Sequence, residues 1–181
     1  DARSVCDRAL TQKEVDLGLS LVPILPHHRI LDLCGGHGRH SLELQSRGIA
    51  RCFLQDYSHA LLAHARGEGD ETSRLDCVLS DARNSGFRPG TFDHVLILGN
   101  SLGYVAEPDA DVEILAECHR LLRRNGWVLV DLTDGDAVKK RFSPMAWHEI
   151  GADVVVCRER EMTEGAISVR EVVLSKRMGL I

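Results

Sequence analysis

Short apolar runs alternate with helix-spaced apolar positions along the first 133 residues of the chain. Apolar runs of about four to eight residues are typical of buried strands, whereas apolar residues three or four apart indicate one face of a helix. The predicted strands are, in order, ILDL, FLQD, LDCVLSD, FDHVLIL and WVLVDLT. The predicted helices cover residues 11–21, a stretch through Leu42 and Leu44 that stops at Gly48, residues 58–64 and residues 109–124. This alternation predicts an α/β fold with a parallel sheet.

The pattern changes after Thr133, where β-rich segments replace the alternation of strands and helices. AWHEI, VVVCREREM and AISVREVVLS are separated by GAD and TEG turns, which predicts an antiparallel three-stranded meander. We therefore expect a core over residues 1–142 and a β extension of the same domain over residues 143–181. The pattern of this segment is also consistent with a plain extension of the sheet or with a dimer surface.

Glycine residues follow the first predicted strand and mark a tight turn into the next helix. Asp32 lies in that strand, and Gly35, Gly36 and Gly38 come soon after it. Glycine permits positive φ and lets a ligand approach the backbone, and the first amides of the following helix open onto that ligand. The spacing of a dinucleotide-binding turn fails because Ser41 stands where the third glycine belongs. This disfavours an NAD-dependent oxidoreductase.

A second register fits the same turn, with Asp32, Cys34, Gly36 and Gly38 at alternate positions. It resembles motif I of the class I S-adenosylmethionine-dependent methyltransferases, with Cys34, a small residue, in place of the first glycine. The resemblance covers roughly residues 29–133. It implies a doubly wound, mainly parallel sheet with central strand order 3-2-1-4-5 and a cofactor at the carboxyl ends of the strands.

The resemblance also implies roles for residues at the ends of the later strands. Asp56 would accept hydrogen bonds from the ribose hydroxyls, and the ring of Tyr57 would lie along adenine. Asp81 would reach the adenine amino group beside the amide of Ala82, and Gly99 would lie near the methionine part. Taken singly, Asp56 and Asp81 also fit ordinary turn residues. The implied binding set for S-adenosylmethionine and its product S-adenosylhomocysteine is Asp32, Cys34, Gly35, Gly36, Gly38, Asp56, Tyr57, Asp81, Ala82 and Gly99.

Candidates for the acceptor side follow the fourth strand and enter the meander. Asn100, Ser101 and Tyr104 come just after the fourth strand, and the Asn100 side chain can both donate and accept hydrogen bonds. Trp147 and His148 enter the meander, and His148 is the plausible titrating base among these residues. The alternative is that Asn100 makes a turn and Trp147 anchors the meander to the core.

Charge and hydropathy narrow the range of partners. The net charge of −5 gives no support for nucleic-acid binding, and GNSLGY lacks the Asn-Pro-Pro-aromatic segment of many exocyclic-amine methylases. Arg120, Arg123 and Arg124 end a predicted helix, where positive charge complements the helix dipole. The sequence contains no run of about 18 apolar residues, so it gives no support for a membrane-spanning segment.

Cysteine and histidine usage indicates the compartment and argues against a metal. The six cysteines are scattered without a CxxC pair, which favours a reduced, cytoplasmic protein. No carboxylate–histidine pattern with the spacing of known metal ligands accompanies His28, His37 and His40, so we predict no metal site.

The predicted function is methyl transfer from S-adenosylmethionine to a small-molecule acceptor by in-line displacement. The cofactor supplies the reactive carbon, so the protein mainly positions a nucleophile and excludes water. The sequence leaves the catalytic residue open. A non-catalytic adenosylmethionine- or nucleotide-binding scaffold is the main alternative. We also expect that a homodimer can form through the β extension. The last two strands of the family are expected beyond Ile181; the alternative is that the meander replaces them.

Overall fold

The computed structural model of the chain describes residues 7–68, 75–163 and 165–180. The structure divides into two compact units. Ala9–Thr133 form one unit, and the residues from Asp134 onward belong to the other. This division falls nine residues before the start of the β extension proposed from the sequence, because a short helix after Asp134 groups with the C-terminal strands. Cys6 lies outside the described residues.

The first unit is built on a five-stranded parallel sheet. Its helices are α1 (Arg8–Leu21), α2 (Arg39–Ser46), α3 (His59–Glu68) and α4 (Ala110–Leu121). Its strands are β1 (Ile30–Leu33), β2 (Cys52–Asp56), β3 (Asp76–Leu79), β4 (Phe92–Ile97) and β5 (Leu122–Val130). Neighbouring strands are parallel and lie in the order β3-β2-β1-β4-β5. The predicted α/β fold and strand order are confirmed.

Strand β1 lies at the centre of the sheet, and all four of its residues are buried. Its apolar side chains enter two separate layers: Ile30 packs with residues of α1, α2 and α3, whereas Leu31 and Leu33 pack with residues of α4. Helices on both faces explain why the strand reads as a continuous apolar run. The same burial leaves the ends of the strands, rather than the faces of the sheet, as places for a site.

The boundary between α4 and β5 differs from the prediction. The helix ends at Leu121 and the strand begins at once, pairing Leu122 with Phe92 before the register shifts and Trp127 pairs with His94. The arginines in this region therefore do not simply cap a helix. Arg120 binds Glu117 through Nε at 2.6 Å, and Arg123 binds Asp93 through Nη1 at 2.9 Å, so each charge is used in a specific ion pair.

The C-terminal unit contains helix α5 (Gly135–Lys140) and an antiparallel sheet. The strands are β6 (Met145–Ile150), β7 (Val154–Met162), β8 (Ile167–Ser175) and β9 (Gly179–Leu180), in the order β6-β7-β8-β9. The three predicted strands are confirmed, and a fourth, two-residue strand pairs with β8. Within the described ranges, no helix combines the length and apolar character needed to cross a membrane.

Candidate functional site

The glycine turn after β1 is fixed by its own backbone and by strand β2. The amide of Gly35 donates to the carbonyl of Gln55 at 3.1 Å, and the amide of Gly38 donates back to the carbonyl of Gly35 at 3.0 Å. A Cβ atom on Gly35 would lie only 2.5 Å from Cγ of Asp32 and from Cδ1 of Leu54. Glycine is required at this position because the strand packs too closely for a side chain.

Cys34 stands where the motif has its first glycine, and its backbone adopts a conformation that glycine accommodates more easily. Its φ is +59°, in the left-handed region that disfavours residues with a Cβ. The backbone, more than the volume of the thiol, therefore carries the cost of the substitution. Burial, helped by nearby carboxylates, raises the pKa of the Cys34 thiol to about 12, so it is held as an uncharged thiol.

Gln55 organises the turn, and the sequence did not single it out. Its side chain is completely buried in β2. The side-chain carbonyl accepts a hydrogen bond from the amide of Cys34 at 3.2 Å, while Nε2 donates to the carbonyl and hydroxyl of Ser80. One side chain thus joins the ends of β1, β2 and β3. The available signal is a polar residue inside the otherwise apolar stretch before Asp56.

Asp56 lies at the carboxyl end of β2, beside the glycine turn, as the sequence predicts. Oδ2 accepts a hydrogen bond from the amide of Gly36 at 2.8 Å, and Oδ1 accepts one from the amide of Ser58 at 2.8 Å. A carboxylate has lone pairs left for further donors. The adjacent Tyr57 ring is 81% exposed and is not packed into the core, so its face is accessible.

Asp81 follows β3, but its carboxylate is already engaged. Arg83 donates to Oδ1 through its amide and Nε at 2.9 and 3.0 Å, and to Oδ2 through Nε and Nη2 at 3.1 and 2.6 Å. These hydrogen bonds lower the pKa of Asp81. Neighbouring Ala82 is 8% exposed and packs in the α4-side core. A ligand amino group at Asp81 would therefore compete with Arg83.

The loop after β4 is tied to β5 and to the glycine turn. Gly99 donates its amide to Oδ2 of Asp131 at 3.1 Å, and Oδ1 of Asn100 accepts from the amide of Thr133 at 2.9 Å. The hydroxyl of Ser101 lies 2.8 Å from the carbonyl of Leu98 and 3.3 Å from that of Cys34, so it can donate to either. These contacts bring the loop beside the turn. With φ at +59°, Asn100 shapes the loop, as the alternative interpretation of this residue expects.

Tyr104 lies further along the same loop, and its side chain is 66% exposed. The amide of the preceding Gly103 donates to Oδ1 of Asp111 at 3.0 Å, which ties this part of the loop to the start of α4. The ring is therefore presented outward from an anchored backbone. Its predicted role on the acceptor side stays a prediction.

Asp32 lies beneath the turn and has no solvent exposure. Oδ2 accepts a hydrogen bond from the hydroxyl of Ser41 at 2.7 Å, while Oδ1 is buried without a partner in the described part of the chain. Burial raises the pKa of the Asp32 carboxyl despite the nearby positive groups. Asp32 is thus placed to hold α2 against β1, with one oxygen still able to accept a hydrogen bond.

Arg39, a guanidinium cation, lies beside His40 at the start of α2. Both bind Oε2 of Glu14 on α1, His40 through Nε2 at 2.9 Å. Although burial opposes it, these hydrogen bonds lower the pKa of Glu14. A Cβ atom on Gly99 would lie 3.7 Å from Nη2 of Arg39, which places the guanidinium beside the loop after β4. Sequence reasoning missed Arg39, although a charged residue in the first turn of α2 was a visible signal.

The sequence pattern of the "Methyltransferase domain" family matches residues 30–126, more than half of the chain. The chain belongs to this family. A curated relative, the ubiquinone/menaquinone biosynthesis C-methyltransferase UbiE of Acidiphilium cryptum (strain JF-5), is 29% identical to this methyltransferase domain over 143 residues. The match covers 74% of this chain and 56% of the relative, so the chain spans little more than half of that protein's length.

Solved structures share the fold of the methyltransferase domain. An S-adenosylmethionine-dependent methyltransferase from Clostridium acetobutylicum ATCC 824 matches with a TM-score of 0.77 at 14% identity, over 99% of this chain and 72% of that chain. The CcbJ methyltransferase from Streptomyces caelestis matches with a TM-score of 0.78 at 17% identity, over 94% of this chain and 69% of that chain.

The remaining candidates lie in the C-terminal unit of the chain. His148 is in β6, opposite Val156 of β7, and its Nε2 atom is buried without a hydrogen-bond partner among the described residues. Trp147 precedes it in the same strand, and its side chain is 71% exposed. The described residues contain no group of three or more histidine, cysteine or acidic side chains arranged to hold a metal ion.

Proposed function

We propose that this domain binds S-adenosylmethionine at the carboxyl ends of β1, β2 and β3 and transfers its methyl group to a small-molecule acceptor. The observation that carries the proposal is the hydrogen bond between the Gly36 amide and Asp56, at 2.8 Å. It places an acidic side chain at the open edge of the sheet directly against a tight glycine turn. Ligands of open α/β sheets bind at such an edge.

The residues at this edge fit the nucleoside part of the cofactor. Asp56 retains acceptor capacity for two ribose hydroxyls, and the exposed ring of Tyr57 offers a flat apolar surface beside it. A side chain at Gly36 would have Leu61 Cδ1, 3.8 Å away, as its nearest contact, so the backbone there is open to a ligand. The turn around Gly36 is shaped by four further residues: Asp32, Cys34, Gly35 and Gly38. The bound cofactor would supply the activated methyl carbon and the leaving group.

The methionine part would lie toward Gly99 and Arg39. The guanidinium of Arg39 supplies positive charge beside Gly99, and its salt bridge to Glu14 fixes its direction. Cys34 is not a nucleophile in this scheme, because the raised pKa of its thiol keeps it protonated.

We propose that the loop after β4 contributes to the acceptor side. Asn100 and Tyr104 follow β4 and are kept as candidates that orient the acceptor, and His148 is kept as a candidate base. Asn100 already uses Oδ1 to hold the amide of Thr133, so its contribution would come through Nδ2 or through the shape of the loop. The curated relative is named as a C-methyltransferase and a structural neighbour as a sugar N-methyltransferase, so the proposal covers carbon and nitrogen acceptors alike.

Two further features belong to the proposal. Five cysteines in the described part of the chain are free thiols, which supports a cytoplasmic location. Met145 and Trp147 on β6 are 75% and 71% exposed, which supports pairing of two copies through the C-terminal sheet.

Calorimetry with S-adenosylhomocysteine on Asp56 variants tests the cofactor site. We expect Asp56→Ala to weaken binding by about 1–3 kcal/mol, the range for a lost charge-assisted hydrogen-bond partner. Asp56→Asn, which keeps one acceptor oxygen, should weaken it less. Asp76→Ala removes an exposed carboxylate from the opposite end of β3 and should leave the affinity unchanged.

Unchanged affinity in a folded Asp56→Ala protein would remove this residue from the site. Release of S-adenosylhomocysteine in the presence of a metabolite pool then separates an enzyme from a binding scaffold. Tight binding of the cofactor with no turnover on any fraction of the pool would favour the scaffold.

A further inference from the structure

A second cleft opens at the amino ends of the parallel strands, at the opposite edge of the sheet from the proposed cofactor site. Its volume is about 480 Å³, within the range of small-molecule sites. Three arginines line it, and none of its eight lining residues is acidic. Arg29 directly precedes β1, Arg88 lies in the loop before β4, and Arg123 is near the start of β5. The cleft is thus positive although the chain carries a net charge of −5.

The positive charge is only partly neutralised by the protein. Asp93 accepts two hydrogen bonds from Nη1 of Arg123, at 2.9 and 3.1 Å, and a third from the backbone amide of Arg29 at 2.8 Å. Asp93 thus pairs with the guanidinium of Arg123, and among the described residues no ion pair engages the guanidinium groups of Arg29 or Arg88. Nε of Arg29 is buried and has no hydrogen-bond partner within the described ranges, an arrangement that costs free energy unless other interactions hold the group.

The arginines are held in place before any ligand arrives. The guanidinium carbon of Arg29 lies 4.9 Å from the centre of the Phe53 ring and 5.9 Å from that of Phe92, so aromatic faces fix its position. The loop carrying Arg88 is anchored by the hydroxyl of Thr91, which donates to the carbonyl of Arg88 at 2.6 Å. The amide of Thr91 donates to the carbonyl of Leu121 at 2.8 Å. Pre-organised donors lower the cost of binding.

We propose that this cleft binds the phosphate group of a small phosphorylated molecule. Guanidinium groups match the geometry of phosphate oxygens, and a phosphate dianion would balance the two positive charges that Asp93 leaves uncompensated. The cleft is larger than a phosphate ion, so it leaves room for an organic part beside the Phe87 side of the wall. This site is separate from the proposed methyl-transfer site and does not depend on it.

Thermal unfolding in increasing inorganic phosphate tests the proposal, with sodium chloride of equal ionic strength as the reference. Phosphate should raise the melting temperature beyond the chloride reference, and the dependence on concentration gives an apparent Kd. Arg88→Gln removes an exposed charge from the cleft and should raise that Kd about tenfold or more, the effect of losing a charge-assisted hydrogen bond. Arg124→Gln is the matched control, because Arg124 is an exposed neighbour of Arg123 that does not line the cleft.

The control should keep the wild-type Kd for phosphate, and both variants should keep the wild-type affinity for S-adenosylhomocysteine. An equal rise of melting temperature in phosphate and in chloride would overturn the proposal. So would an equal effect of the two variants, since that would show a response to overall charge rather than to this cleft.

Discussion

The side-chain carbonyl of Gln55 accepts a hydrogen bond from the backbone amide of Cys34 at 3.2 Å. Through its Nε2 atom the same residue holds the carbonyl and hydroxyl of Ser80. The glycine turn, the end of β2 and the end of β3 are therefore positioned by one buried amide. Changes at Gln55 should reach the cofactor site although the side chain itself is buried below it.

Gln55→Met keeps the volume of the side chain but leaves the Cys34 amide and the Ser80 carbonyl without this partner. We expect a loss of about 1–3 kcal/mol in the free energy of unfolding, the cost of unsatisfied buried groups. The affinity for S-adenosylhomocysteine should also fall, because the turn loses its support. Urea unfolding and calorimetry measure the two effects.

Ser80→Ala is the control for this prediction. It removes only the hydroxyl acceptor, 3.1 Å from Nε2, and keeps the carbonyl, so both effects should be small. Wild-type affinity in a destabilised Gln55→Met protein would show that Gln55 supports the fold alone.

The two central glycines of the turn should respond differently to alanine. At Gly35 the new Cβ would lie 2.5 Å from Asp32 and Leu54 atoms, and overpacking at such distances costs about 3 kcal/mol or more. At Gly36 the nearest atom to a new Cβ would be Cδ1 of Leu61, at an ordinary contact distance of 3.8 Å, so the cost comes from φ at +62° and should be about 1–2 kcal/mol. Chemical denaturation of Gly35→Ala and Gly36→Ala shows which variant loses more free energy of unfolding. A larger loss at Gly36 would contradict the packing described for the turn.

The sequence predicts the sheet well because buried parallel strands are continuous apolar runs, and it places Asp56 because acidic residues after such runs meet at one edge of the sheet. It misses Gln55, because a single polar residue in a strand does not indicate which backbone groups its side chain will bind. It also misses the pairing of Asp81 with Arg83, a side-chain conformation that no periodicity encodes. The end of α4 was placed too late because leucine fits both a helix and a strand at residues 121 and 122.

The thiols of Cys34, Cys52 and Cys118 should resist alkylation in the native protein. Burial raises the pKa of each to about 12, so roughly one thiol in ten thousand is ionised at about pH 8, and the thiolate is the reactive form. Iodoacetamide labelling followed by peptide mass spectrometry should find these three positions unmodified. The same positions should be modified after unfolding in urea. Rapid native labelling of Cys34 would show that the turn opens more readily than its hydrogen bonds suggest.

Contact between buried His94 and half-buried His28 predicts a pH-dependent stability. Nε2 of His94 lies 2.8 Å from Nδ1 of His28. Burial, together with His28, lowers the pKa of His94, so the folded state favours the neutral ring. The unfolded chain then binds the proton more readily, and the free energy of unfolding should fall as the pH drops below about 6.5, the ordinary pKa of histidine.

His94→Gln should reduce the loss in the free energy of unfolding between about pH 7.5 and about pH 5.5, the range in which histidine titrates. His59→Gln, at an exposed position in α3, should leave it as in the wild type. Because the raised pKa of Asp32 acts in the opposite direction, each variant is compared with the wild type at the same pH. Equal losses in His94→Gln and wild type, measured by urea unfolding, would assign the pH dependence to other groups.

Replacing Asp81 and replacing Arg83, the two members of an ion pair, should have opposite effects on the affinity for S-adenosylhomocysteine. If Asp81 accepts a hydrogen bond from the adenine amino group, Arg83 competes for the same oxygens, because it already donates to both of them. Asp81→Asn should then weaken the binding of S-adenosylhomocysteine. Arg83→Gln should strengthen it, by roughly twofold to fivefold, since an exposed ion pair is worth little.

Calorimetry on the two variants and the double variant separates competition from cooperation. Competition requires that Arg83→Gln has no benefit once Asp81 is replaced, because the oxygens it would free are gone. Weakening of similar size in both single variants would instead mean that the pair acts as a unit that holds the backbone of residues 81–84, bridged between Asp81 and Asn84. Asp81 would then position the adenine site through the amide of Ala82 rather than contact the base itself.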